Sequence, residues 1–149
     1  LLEYCMTSQL NVDTIVDKAG SGGTNVKVAN TSTYVSDSGG ATQNTVQSLC
    51  KHWGNLDGTG TISIRDSFNT SSATDIATGT YRFDYINDFA NLNYSLQESV
   101  NETTGGEGNL NRYSAIDQVE TGFCRFGATF SSSYLDVDEL YTAAFGDLA

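Results

Sequence analysis

A chain of 149 residues is the size of one ordinary domain, or of one compact domain with an arm that does not bury itself. Ser, Thr, Asn and Gly make up 61 of the residues and proline is absent, so strands and turns shaped by Gly, Asn and Asp are favoured over helices, and an all-β fold is expected. Eighteen Asp and Glu against seven Lys and Arg give a formal charge of −11, a field that repels nucleic acid and anionic lipid, and no nucleic-acid partner is expected.

At the start of the chain, LLEYC is too short for a signal peptide, and no stretch anywhere approaches the apolar length of a membrane span, so no membrane insertion is expected. Met6 followed by Thr7 and Ser8 looks like a natural start, with Leu1 to Cys5 as upstream sequence. Residues 8–17 alternate as one strand, with Leu10, Val12 and Val16 on one face, before AGSGG at 19–23 breaks the pattern. Val26 and Val28 fit a second short strand and residues 33–35 a third, and SDSGGATQN after them reads as loop. Three such segments cannot close a core and must pack on something else. Residues 44–56 place Val46, Leu49, Cys50 and Trp53 at three- and four-residue spacing, which allows a short amphipathic helix or, alternatively, a run into a strand at Trp53.

From Trp53 the pattern changes to recurring strands. DGTGT at 57–61 signals a tight turn into TISIRDSF, where Ile62, Ile64 and Phe68 share a face and Asp66 invites a bend or bulge. NTSSATDIATG at 69–79 reads as a polar turn region. TYRFDYI follows, with Tyr81, Phe83 and Tyr85 alternating against Arg82 and Asp84. Residues 91–100 alternate Leu92, Tyr94, Leu96 and Val100 with Asn93, Ser95, Gln97 and Ser99, the pattern of a half-buried strand. Beyond the loop NETTGGEGN come RYSAI, then GFCRFGATF with Cys124, Phe126, Ala128 and Phe130 on one face. In the closing run Leu135, Val137, Tyr141 and Phe145 share a parity. The expectation is an antiparallel, jelly-roll-like β-sandwich over residues 53–149, preceded by an extended arm and linker over residues 1–52.

Few residues offer chemistry. His52 is the sole histidine, no Gly-x-Ser-x-Gly elbow accompanies it, and its plain reading is a side chain beside Trp53 at a surface or subunit contact. Asp136, Asp138 and Glu139 could bind a cation or act on a sugar, with Asp136 and Asp138 on one strand face; a solvated face explains them more simply. Asp57 fits a turn better than a calcium loop. Cys5, Cys50 and Cys124 lack zinc-ligand spacing and read as free thiols of a protein made in a reducing cytoplasm, with Cys124 in core packing. Trp53 is read as anchoring the start of the sandwich, with stacking on carbohydrate as the functional alternative; Tyr34, Tyr81, Tyr94, Tyr113 and Tyr141 could line core or interface. No catalytic, cofactor-binding or metal-binding residues are assigned, and no enzyme activity is expected.

WGNLDGTGTISIRDSFNTSSATDIATGTYRFDY at 53–85, NDFANLNYSL at 87–96 and YTAAFGD at 141–147 together resemble a domain of small virion proteins of tailed bacteriophages, of the tail-fibre or appendage kind. In that family an aromatic residue precedes a GTGT turn, followed by an IR-S-N stretch, a polar insert, a GTY strand, an A-x-NY strand and an FGD-like ending. SQLNVDTIVDKAG at 8–20 is similar to the short arm that opens such chains. Phe89 stands where family members often carry proline, and residues 25–47 match nothing in the pattern. The resemblance implies a virion structural protein, a sandwich head with an arm that self-associates as a homotrimer or another cyclic oligomer and attaches to other virion proteins. A capsid decoration protein and a carbohydrate-binding module recognising a host surface glycan are the alternatives, and a depolymerase the remotest of the readings. Fold alone decides among none of them.

Overall fold

The computed structural model describes residues 28, 31–35, 40–101, 112–130 and 132–149. Over these the chain runs β1 (Thr33–Val35), β2 (Thr42–Asn44), the single turn α1 (Thr45–Ser48), β3 (Cys50–Asp57), β4 (Ser63–Phe68), β5 (Thr70–Ala77) and β6 (Thr80–Tyr85). It continues as β7 (Ser95–Asn101), β8 (Arg112–Val119), β9 (Phe123–Phe130), β10 (Ser133–Tyr134) and β11 (Glu139–Phe145).

Two antiparallel sheets form the body. One has the order β4-β3-β11-β7; in the other β8, β9, β6 and β5 lie side by side, and β10 continues along the edge of β9 that β6 occupies. The expected all-β sandwich is therefore present. Strands β6 and β9 build its inner face from strict alternation, with Tyr81, Phe83 and Tyr85 opposite Phe126, Cys124 and the chain beyond, and all but Tyr85 at 0% exposure. Leu56, Leu140 and Ala144 of the other sheet, each 0% exposed, close against them. Fully burying a large apolar side chain is worth about 1.5–3 kcal/mol, so these rows carry most of the stabilisation. The layers approach closely at Gly54, where an added Cβ would stand 2.8 Å from Cε1 of Phe83.

The chain crosses between sheets from β4 to β5 at Asn69, whose φ of 58° is left-handed. Its Oδ1 accepts from the Asn87 N–H at 2.7 Å and its Nδ2 donates to the Asn87 carbonyl at 3.0 Å, which fixes the crossing. At the far end Phe89 stacks on Tyr94 with centroids 3.9 Å apart and meets Tyr85 edge-on at 5.2 Å, while Phe89 and Leu148 form an isolated bridge.

Several local expectations change. The helix expected over residues 44–56 is one turn, and the first sandwich strand begins at Cys50, because alternation from Gly54 and Leu56 outranks the helical spacing. The polar stretch 69–79 is not a turn region but the strand β5, held to β6 by backbone pairing. Thr42–Asn44, expected as loop, pairs with β1. Strand β7 starts only at Ser95, which leaves Leu92 outside it and 54% exposed. The bulge foreseen near Asp66 exists, with Asn55 opposite Asp66 but Leu56 opposite Ile64, and it turns Phe68 outward while Ile64 faces Leu56. In the C-terminal run the parity is reversed: residues 135–138 lie outside any strand and reset the phase, so Leu140, Thr142 and Ala144 face inward and Tyr141 and Phe145 outward. The strand expected over residues 8–17 lies outside the described residues, as do Val26 and most of the 101–109 loop.

Candidate functional site

His52 was expected at a surface contact; it is fully buried on the inner face of β3, two residues before Gly54. Its Nε2 lies 2.9 Å from Thr142 Oγ1 and its Nδ1 3.3 Å from Thr70 Oγ1, and its ring meets Phe83 and Tyr85 at 5.5 and 4.9 Å. Burial pushes its pKa down to about 4, opposed by backbone hydrogen bonds at Phe68 and Asn69. A hydroxyl–imidazole pair this deep is closed to a substrate.

The C-terminal acids do not converge. Asp136 Oδ1 accepts from Gly79 N–H at 2.6 Å and from Tyr81 Oη at 3.1 Å, so it clamps the β5–β6 turn; Asp138 is buried at 6% exposure. Glu139 accepts from Arg65 at 3.0 Å and from Asn101 Nδ2 at 2.7 Å. The solvated strand face expected for Asp136 and Asp138 is absent, because both precede β11 and turn inward. Asp57 behaves as the turn residue it was read to be: Oδ1 accepts from Thr59 N–H and Oγ1, and Oδ2 from Arg65 at 2.9 Å, which holds its carboxyl below the usual range, the Thr59 bonds most of all. Among the described residues no three His, Cys, Asp or Glu side chains gather as a metal site.

Cys50 and Cys124 are free thiols. Cys124 sits in the core, and burial pushes its pKa up to about 12, against hydrogen bonds with Tyr85 and Phe83. Cys5 and the Tyr113 side chain fall outside the description. Tyr81 is core, Tyr94 is half-buried with its hydroxyl donating to the Glu120 carbonyl at 2.9 Å, and Tyr34 is 61% exposed.

The two outer faces differ in kind. On the β5-β6-β9-β8 side, Arg82 pairs with Asp84 and lies 4.4 Å over the Phe123 ring, and Arg125 pairs with Asp117. Such paired charges are an ordinary solvated surface. On the β4-β3-β11-β7 side, register sets Phe68, Trp53, Ala143 and Gln97 in one row and Asp66, Asn55, Tyr141 and Ser99 in the next, with Phe145 opposite Ser95 beyond. Residues directly opposed in an antiparallel pair share a face, so aromatic rings are interleaved there with amides and hydroxyls, Asp66 being the one charged side chain in these two rows. Phe68, Trp53 and Tyr141 remain 52, 38 and 37% exposed. Trp53, read as anchoring the start of the sandwich, lies on the outer face of β3, and Gly54 and Leu56 take the inward parity beside it.

Two depressions lie along the β11–β7 seam of this face. One of about 430 Å³ is lined by Gln47, Asn91, Asn93, Ser95, Phe145 and Asp147, and one of about 280 Å³ by Gln97, Ser99, Tyr141 and Thr142, among others. Sequence reasoning named Trp53 and Tyr141 but missed Phe68 and Phe145, whose orientation depends on the bulge at Arg65 and on the phase reset at 135–138. It did place Ser95, Gln97 and Ser99 together on the polar face of one strand. No family model, curated protein or solved structure matches the chain.

Proposed function

We propose that this chain is a structural component of a tailed-bacteriophage particle, part of a fibre or similar appendage, which associates with further copies and with other virion proteins through its N-terminal segment while the sandwich faces outward. The support is the resemblance of residues 53–96 and 141–147 together with one structural observation. Ahead of the closed two-layer body stands the ribbon β1–β2, in which Thr33, Tyr34, Val35, Thr42 and Gln43 are all exposed. Among the described residues no strand makes a layer over this ribbon, and a two-stranded ribbon by itself is marginal and gains order from a neighbour. Tyr34 at 61% and Val35 at 52% exposure, with Leu49 at 56% nearby in sequence, offer the apolar area for that contact.

Deleting residues 1–40 tests the reading. The shortened chain is expected to keep its β-type circular dichroism, to run as a monomer by light scattering where the whole chain is an oligomer, and to be missing from particles assembled in its presence. A shortened chain that joins particles as well as the full one sinks the proposal.

A further inference from the structure

We infer that the outer seam between β11 and β7 is a binding site for a neutral oligosaccharide. On β11 Phe145, Ala143 and Tyr141 form an apolar line, and on β7 their register partners Ser95, Gln97 and Ser99 form a polar one. All three β7 residues are exposed. Sugar rings present apolar C–H faces and hydroxyls that both donate and accept. Aromatic faces suit the first, and Gln, Asn and Ser, which also donate and accept, suit the second.

The seam ends in the two depressions, and Phe145 to Tyr141 spans roughly 14 Å at the strand rise, longer than one sugar ring, so a chain of sugars fits better than a monosaccharide. Charge selects the class. Arg65 at one end is held by Asp57 and Glu139, and Lys51 near the other donates to the carbonyls of Val46 and Leu49. Asp147 borders the larger depression, with Gln47 Nε2 donating to it at 3.2 Å. Among the described residues, an acidic glycan would meet carboxylates and no available cation there, whereas an uncharged one meets amides and hydroxyls. A second copy of the chain is the weaker occupant, because the row Ser95, Gln97, Ser99 would be desolvated at the centre of the contact, where stable interfaces are apolar.

This deepens the outward-facing role proposed above, but is tested apart from it. The purified full chain is applied to an array of neutral hexose and hexosamine oligosaccharides alongside uronic-acid and sialylated ones, and the strongest neutral hit is titrated. Binding to neutral chains alone is expected, with Tyr141→Ala and Gln97→Ala each weakening it about tenfold or more, equivalent to losing one well-placed contact. Thr74→Ala, on the other sheet, is expected to change it less than about twofold. Silence across the neutral chains, a preference for acidic ones, or unchanged affinity in both variants overturns the inference. So does a change of oligomer mass in Tyr141→Ala, which would make this face a contact between copies. Particle incorporation of the full chain is unaffected by any of these outcomes, so the structural role and the sugar site fail separately.

Discussion

Closed in by Phe83 and Tyr85 and flanked by the hydroxyls of Thr142 and Thr70, the His52 imidazole is kept neutral in the folded chain, with a pKa of about 4 against 6.5 when free. Above pH 6.5 both folded and unfolded chains hold it neutral, and its full contribution is present. As pH falls from 6.5 towards 4 the unfolded chain takes up a proton that the folded chain refuses, so stability declines, by about 3 kcal/mol over the window. Below pH 4 both states are protonated and the loss levels off. The carboxylates held low by hydrogen bonds, Asp57 and Glu139, begin to contribute only near their ordinary values of 3.8 and 4.5, and Glu98, whose carboxyl burial holds above 4.5, acts in the opposite sense as pH falls, so among the described residues the loss between 6.5 and about 4.5 belongs to His52. Urea titrations at half-unit pH steps are expected to show the midpoint dropping through this interval. A His52→Gln variant, whatever its absolute stability, is expected to lose this drop; a midpoint that still falls with falling pH would assign the acid response to another group.

At the scale of the element, β6 and β9 were legible because each alternates large apolar residues without interruption, and both faces could be read correctly from the sequence. Strand β5 was not. Its Thr, Ser and Asp residues carry no apolar alternation, and an edge strand that pairs on one side only needs none. Strand β11 was legible as a strand but not in phase, because Leu135 and Val137 belong to the irregular run before it and Val137 is buried from there at 1% exposure. The crossing at Asn69 shows what sequence patterning leaves out: one left-handed residue transfers the chain between sheets and is fastened by its own amide to Asn87. Asn69→Gly removes the side-chain bonds but relieves the backbone, and Asn69→Ala removes the bonds and keeps the strain. The alanine variant is therefore expected to be less stable than glycine by about 1–2 kcal/mol, the cost of a left-handed residue with a Cβ. Thermal unfolding of the pair measures it, and equal stabilities would show that the side-chain bonds alone hold the crossing.

Across the whole molecule, the two outer faces differ in character and the ribbon β1–β2 is exposed. If copies join through the ribbon and the segment before it, the aromatic face of the β4-β3-β11-β7 sheet stays open to solvent in the assembly. Trp53 is the only tryptophan and sits on that face at 38% exposure, so its fluorescence reports on this face alone. Acrylamide quenching is expected to be the same in the full chain and in the chain lacking residues 1–40, although their masses differ. A bound neutral oligosaccharide is expected to lower the quenching in both, because a sugar on the β11–β7 seam lies beside the Phe68–Trp53–Ala143–Gln97 row. Weaker quenching in the full chain without sugar would place this face inside the contact between copies. The row of Ser95, Gln97 and Ser99 would then have to be satisfied by polar groups of the neighbour rather than by water or hydroxyls of a glycan.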